Sequence, residues 1–380
     1  MQLRTWSLSV IIFILLLTGC ELGQNQPKAP VVTETNGEEL LIHFIDVGQG
    51  DATLFQGPDF TILVDAGRHD RSDVVPYLQQ VGVTKFDLVV GTHPHADHIG
   101  QMDQVLKAFP TKEVWMSGDE HTTRTFERTI DAIMETDAEY YEPRAGETFE
   151  IGSLFIEVVN PEELTTDFHE GSLSMKLTYG EVSILLTGDA EKQTEEWILS
   201  QRFNLTSTIF QLGHHGSSTS NTEAFLEAVD PQIAIYSAGK NNEYGHPHRE
   251  VIERLNGMNI PVYGTDQQGT IVIITDGKDL ELHTEHEVNQ EVNLDEERAD
   301  GNEEEVNSID GDLADSREEC ININNATLED LIEIVHIGDE RVEQLLAFRP
   351  FEKIEDLTKI NGIGSGRLAE IIEQGLACLE

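Results

Sequence analysis

From about residue 40 the apolar positions come in short blocks. "LLIHFIDV", "ATLFQG" and "FTILVDAG" are rich in Leu, Ile, Val and Phe and are separated by Gly and Pro, which predicts successive strands. Further along, apolar blocks alternate with stretches of helical period. "SDVVPYLQQVG" is amphipathic, "FDLVVGTH" is a buried strand, and "HIGQMDQVLKAF" carries helical spacing, with its helix expected to begin near His98. The same alternation returns as "VSILLTGD" before "AEKQTEEWILSQ", "STIFQLGHH" before "TEAFLEAVD", and "IAIYSAG" before "HREVIERLNG". This pattern predicts a mixed α/β domain over residues 40–283.

The pattern changes at both ends. At the N-terminus a single early cation, Arg4, precedes an apolar run from Val10 to Leu17 that is too short to span a bilayer, so residues 1–19 have the form of a secretory signal. Leu17-Thr18-Gly19-Cys20 resembles the bacterial lipobox, which implies cleavage before Cys20, lipid attachment there, and an exported chain tethered by residues 20–39. Residues 284–319 hold fifteen acids, two arginines and no aromatic residue, and such a stretch buries too little apolar surface to offset chain entropy. A disordered linker is expected there. Residues 320–380 then form a second, small module built from two helix–glycine turn–helix units, "INNATLEDLIEIVHIGDERVEQLLAF" and "FEKIEDLTKINGIGSGRLAEIIEQGL".

Composition sharpens this picture. The 380 residues carry 71 acids and 24 Lys and Arg, a net charge of −47, which suits a saline environment and repels nucleic acid unless local cations or high salt intervene. Besides Cys20, the cysteines are Cys320 and Cys378, which bracket the last module. Export permits a bridge between them, and closing a loop of that length contributes about 4 kcal/mol on the chain-entropy model. The sequences Gly-x-Ser-x-Gly and the P-loop are both absent, which argues against covalent acyl transfer and nucleotide-driven work.

The densest chemistry lies in "THPHADHIG", where His93, His95, Asp97 and His98 follow a buried strand. Imidazoles and a carboxylate at this spacing suit divalent metals of borderline softness, zinc or manganese. His169 in "DFHEGS", Asp189 in "LLTGDA" and the pair His214 and His215 in "LGHHGSS" each fall where a strand gives way to a loop, the place where α/β sheets present ligands.

Together "HFIDVGQGDATLF", "ILVDAG", "THPHADHIG", "LLTGDAE", "LGHHGS" and "YGHPH" resemble the metallo-β-lactamase fold, an αββα sandwich, and within it the extracytoplasmic domain of ComEC-type competence proteins. The resemblance implies two divalent ions. His93, His95 and a third histidine, for which His169 is the candidate, would hold one, and Asp97, His98 and either His214 or His215 the other, with Asp189 bridging. Asp97 and His246 are the candidate catalytic groups. His246 and His248 in "YGHPHRE" are open to a proton-donor or phosphate-contact role, or to a turn or capping role. The resemblance makes Asp65 a support behind the ligands, while Asp46 and Asp51 are expected to shape their own turn. His169 is a departure, standing three residues before Ser172, where many chains of this kind carry asparagine.

The last module resembles the all-α helix-hairpin-helix DNA-binding domain of ComEA-type competence proteins. Gly362 and Gly364 match its turn, and Arg367 and Lys359 flank it. Backbone N–H groups at such a turn meet phosphates rather than base edges, so DNA binding without sequence preference is implied. In the first unit His336 replaces the first turn glycine, and Asp339 and Glu340 replace basic residues; Gly338 and Arg341 remain. The implied activity is phosphodiester hydrolysis by metal-bound hydroxide on extracellular DNA, at the outer face of the membrane, for uptake beside a DNA-import machine or for nutrition. Hydrolysis of another surface ester or phosphodiester, and DNA capture without catalysis, are the alternatives.

Overall fold

The computed structural model describes Pro30, residues 37–165 and 167–286, and, with gaps, residues 321–379. The proposed signal, Cys20, most of the tether and nearly all of the acidic linker lie outside the described residues. No helix among the described residues is long and apolar enough to cross a membrane.

Two mixed sheets stack face to face. The first runs in the order β15 (Leu280–Thr284), β14 (Ile271–Thr275), β1 (Leu40–Phe44), β2 (Thr53–Gln56), β3 (Thr61–Val64), β4 (Phe86–Gly91), β5 (Thr111–Met116) and β6 (Glu139–Tyr141). The second runs β13 (Val262–Gly264), β12 (Ile233–Tyr236), β11 (Ile209–Gln211), β10 (Val182–Leu186), β9 (Ser174–Tyr179), β8 (Leu154–Asn160) and β7 (Thr148–Ile151). Antiparallel pairing dominates at the hairpins, whereas β3, β4, β5 and β6 pair in parallel, as do β10, β11, β12 and β13.

The two-residue period of the strands decides which layer each side chain joins. On β4, Leu88 and Val90 enter the core between the sheets, while Val89 faces the helices α1 (Val74–Gln80), α2 (Met102–Ala108) and α3 (Arg124–Met134). On β10, Val182, Ile184 and Leu186 take the inter-sheet side, and Leu185 meets α4 (Lys192–Gln201), α5 (Glu223–Val229) and α6 (Arg249–Gly257). Helix, sheet, sheet and helix therefore form four layers around three apolar clusters, as the sequence implied.

One element boundary differs from expectation. The second helix starts at Met102 rather than near His98. Gly100 packs so closely on the preceding loop that a Cβ there would lie 2.2 Å from His69 N, and Gln101 Oε1 accepts Val74 N–H at 3.1 Å. Residues 96–101 are thus docked on the loop after β3, which leaves His98 in irregular backbone.

In the C-terminal module the helix Asp339–Phe348 and the 3-10 turn Ile354–Lys359 gather around Ile334, Leu345, Leu357 and Ile363. Its ends are joined by a short parallel pairing of Ile321–Asn322 with Ala377–Cys378, a small addition to the expected all-α form. Cys378 is disulfide-bonded; its expected partner, Cys320, lies outside the described residues.

Candidate metal centre

Five loops deliver the polar cluster. Residues 92–98 follow β4, His169 precedes β9, Asp189 follows β10, His214 and His215 follow β11, and Asp51 precedes β2. Ligand atoms of His93, His95, His169 and Asp189 all lie within 4.8 Å of one another, and so do those of Asp51, His98, Asp189 and His215. Asp189 belongs to both groups, with Oδ2 3.6 Å from His93 Nε2 and 3.7 Å from His215 Nε2, and Oδ1 3.1 Å from His98 Nε2. Asp97 Oδ2 stands 3.4 Å from His215 Nε2.

These separations suit a shared cation. Two ligands of a tetrahedral ion at about 2.1 Å are themselves about 3.4 Å apart, longer than a good hydrogen bond. His98 Nε2, His215 Nε2 and Asp189 Oδ1 are also buried without a well-aligned hydrogen bond, facing only one another and Asp97, a costly state for polar atoms that a divalent ion would relieve. The donor set is nitrogen and oxygen only, since no cysteine falls between residues 40 and 283.

A second layer sets the imidazoles. Asp65, held at φ +61°, accepts from Thr92 N at 2.8 Å and Thr92 Oγ1 at 2.8 Å, and lies 2.8 Å from His98 Nδ1. That arrangement gives Asp65 the supporting position the sequence suggested. His215 Nδ1 is 3.0 Å from Ser237 O and 3.2 Å from Asp51 Oδ1, so its Nε2 is the nitrogen turned to the cluster. Asp51 is therefore more than a turn former: its Oδ2 accepts from Gln211 Nε2 at 2.9 Å while its main chain bonds Asp97 O. Asp46 does shape its own turn, accepting Gly48 N–H at 3.0 Å.

The adjacent histidines separate in role. His214 and His215 both adopt left-handed backbone, with φ of 51° and 55°, which splays their rings. His215 joins the group of Asp51, His98 and Asp189, whereas His214 gathers with His169 and Glu191, its Nδ1 3.4 Å from Glu191 Oε1 and 3.2 Å from Thr219 Oγ1. His214 Nε2 is 3.8 Å from Asp189 Oδ2.

Burial and mutual charge shift the whole cluster. Burial pushes His93 well down and His95 down to about 4, with neighbouring imidazoles adding to the effect. His98 and His215 go the other way: burial opposes their charge, yet Asp189 with Asp65 or Asp51 outweighs it. Asp189 is held well below the usual carboxylate range, since His98, His215, His214 and His93 together overcome its desolvation. Such a group of mixed charges is built to exchange protons for a cation.

At the edge, the His246 ring lies 5.5 Å from His214 and 6.0 Å from His215, so the structure brings it to the cluster. His248 turns away. Its Nδ1 accepts Ser218 N–H at 2.9 Å and its Nε2 lies 3.2 Å from Tyr244 O, a structural tie. It occupies the N-cap position of α6 without capping through its side chain. In the last module Gly338 and Gly362 lie outside the described residues. Gly364 is exposed with open space around it, Arg367 is exposed, and Arg341 Nη1 donates to His336 O at 3.4 Å. His336 takes φ +66°, the conformation the replaced glycine would supply. Glu191, Glu195, Asn221 and Gln49 escaped the sequence reading; the first two share a stretch with Asp189, and Gln49 sits inside "DVGQGD".

Comparison with known proteins adds to this geometry. A family model described as the metallo-beta-lactamase superfamily matches residues 45–240, and one described as the helix-hairpin-helix motif matches residues 316–374. The chain is 31% identical over 250 residues to ComE operon protein 3 of Bacillus subtilis, a match covering 60% of this chain and 32% of that protein. It is 29% identical over 276 residues to Competence protein ComA of Neisseria gonorrhoeae, covering 71% and 35%. It is also 42% identical over 69 residues to a protein named Deoxyribonuclease of Thioalkalivibrio sp., covering 18% and 19%. The chain spans about a third of the length of the first two relatives.

Proposed function

The chain belongs to the metallo-beta-lactamase superfamily, and from that premise we propose that it is an exported, lipid-anchored nuclease that hydrolyses DNA phosphodiesters outside the cell, for uptake or nutrition. It is a metal-dependent hydrolase of that superfamily, related to competence proteins and joined to a helix-hairpin-helix motif. The observation that carries the DNA substrate is this pairing in one chain of a histidine–carboxylate cluster with a motif whose turn suits a phosphate backbone. The short match to a protein named Deoxyribonuclease supports the same reading.

His93, His95 and His169 would hold one divalent ion, and Asp97, His98 and His215 the other, with Asp189 shared; zinc and manganese both suit the donors. Such ions supply Lewis acidity, a lowered pKa for coordinated water and compensation for charge on phosphoryl oxygen. Asp65 and Asp51 keep the imidazoles of His98 and His215 facing inward. Asp97, whose side chain is one-third exposed, is the carboxylate of this group on the solvent side, and His246, its ring 6.0 Å from that of His215, is placed to contact a phosphate or move a proton. In the C-terminal module Gly338, Arg341, Gly362, Gly364 and Arg367 would meet the backbone of the substrate.

The test uses the full-length chain in detergent, stripped with a chelator and reloaded with zinc or manganese, on plasmid and single-stranded DNA. Cleavage should return with metal and vanish in Asp189→Ala. DNA retained but never cut would replace this reading with simple capture, and turnover of bis-p-nitrophenyl phosphate without DNA cleavage would point to another phosphodiester. Metabolic labelling with a radioactive fatty acid should mark the wild type and not Cys20→Ser, which should be released into the medium; equal labelling would remove the anchor from the account.

A further inference from the structure

Gln49, 5% exposed, lies in the middle of "DVGQGD", and its side chain spans from one backbone group to one ring. Oε1 accepts the N–H of Gly239 at 3.2 Å, and Nε2 lies 3.4 Å from His246 Nδ1. The first contact settles the second, because a backbone N–H can only donate and so marks the oxygen end of the amide. An amide nitrogen likewise only donates, so Nδ1 must accept. The neutral ring then carries its proton on Nε2, which makes no hydrogen bond among the described residues.

The surroundings hold this arrangement. Asn242 grips the backbone of the same histidine, its Oδ1 accepting His246 N–H at 3.0 Å and its Nδ2 donating to His246 O at 2.6 Å. Tyr244 stacks on the ring at 5.8 Å and 23°. Gly239 is pressed on the Gln49 backbone so closely that a Cβ would lie 2.7 Å from Gln49 N.

We propose that Gln49 is a positioning residue that selects the tautomer of His246, so that an Nε2–H donor borders the metal cluster and can bond a phosphoryl oxygen of the substrate. The role rests on the phosphodiesterase reading of the same site. Gln49→Glu is nearly isosteric and inverts the demand. A carboxylate still accepts from Gly239 N–H, but its other oxygen requires a proton on Nδ1, which in the buried, neutral ring leaves Nε2 bare towards an anionic substrate.

The experiment is long-range proton–nitrogen NMR on full-length, zinc-loaded protein with 15N-labelled histidine, the His246 signals being assigned by their loss in His246→Gln. The wild type should show Nε2–H and the Gln49→Glu variant Nδ1–H. Zinc content by elemental analysis should be unchanged, and kcat for bis-p-nitrophenyl phosphate should fall about a hundredfold with little change in KM. Nδ1–H in the wild type overturns the proposal even if the variant fails to fold. A tautomer switch that leaves kcat unaltered overturns the donor role. Wild-type protein with the expected tautomer but no phosphodiesterase activity would instead sink the proposed function and leave the tautomer lock standing.

Discussion

A single buried residue away from the cluster gives the most direct test of the core. His43 on β1 is 2% exposed, with Nδ1 2.8 Å from the Tyr77 hydroxyl, and burial pulls its pKa down to about 4. Because the folded-state value lies below the unfolded one, the ring stays neutral in the fold while the unfolded chain takes up a proton. Its contribution is complete above about pH 6.5 and lost as pH falls towards 4, amounting to roughly 3 kcal/mol over that window. Urea unfolding followed by the fluorescence of buried Trp115 should therefore show wild type losing 2–3 kcal/mol more than His43→Gln between pH 7 and about pH 4.5. Equal losses would show that the His43 ring is not protected. At this scale the sequence was legible where residue type and spacing were both unusual, as in His93, His95, Asp97 and His98. Asp51 and Gln49 were opaque as partners because each acts on a histidine more than 160 positions away, His215 and His246, contacts that only the packing of β1 and β2 beside β11 and β12 creates.

Among the elements, the loop between β11 and α5 is the one most in need of support, since two consecutive non-glycine residues there are left-handed. Asn221, fully buried, supplies it: Oδ1 accepts Gly213 N–H at 2.9 Å, and Nδ2 donates to Gly213 O at 2.9 Å and Ser217 O at 3.1 Å. Glu195 on α4 accepts in turn from Asn221 N at 2.5 Å and Thr222 N at 2.9 Å, and α4 begins three residues after Asp189. The helix thus ties the Asp189 loop to the His215 loop. Asn221→Ala should cost about 3 kcal/mol from three buried hydrogen bonds and should weaken one of two zinc-binding events in calorimetry. A lowered denaturation midpoint with both zinc events intact would confine Asn221 to a structural part. Strand and helix alternation made the elements themselves readable, α4 and α5 included. The tie between them was unreadable because a buried glutamate among the polar residues that open α4 has no periodicity to announce it, and the same holds for Gly100, whose contact with His69 delays α2.

If the substrate is DNA, as proposed, the whole molecule must reconcile a net charge of −47 with a polyanion. Residues 321–380 carry five Lys and Arg against twelve Asp and Glu, so the C-terminal module is itself acidic. Arg349 is committed to the fold, its guanidinium donating to Ile323 O at 2.7 Å and Ala326 O at 2.8 Å, and Lys359 lies 3.4 Å from Asp356. Few cations therefore remain for phosphate, and most of any grip has to come from backbone N–H groups at the glycine turns, which release few counterions. If four side chains at most neutralise phosphates, the slope of log K against log salt should be no steeper than about −4. Fluorescence anisotropy of a labelled duplex on the metal-free full-length chain, from low to high potassium chloride, measures that slope directly. Arg367→Ala should flatten it by about one unit, while Arg349→Ala should lower stability of the module instead of acting through charge. A steeper slope, or one indifferent to Arg367, would move the DNA-binding surface off the helix-hairpin-helix motif and on to the hydrolase domain. The acidic bulk of the chain would then have to be overcome by Lys and Arg side chains of that domain rather than by a neutral, backbone-lined turn.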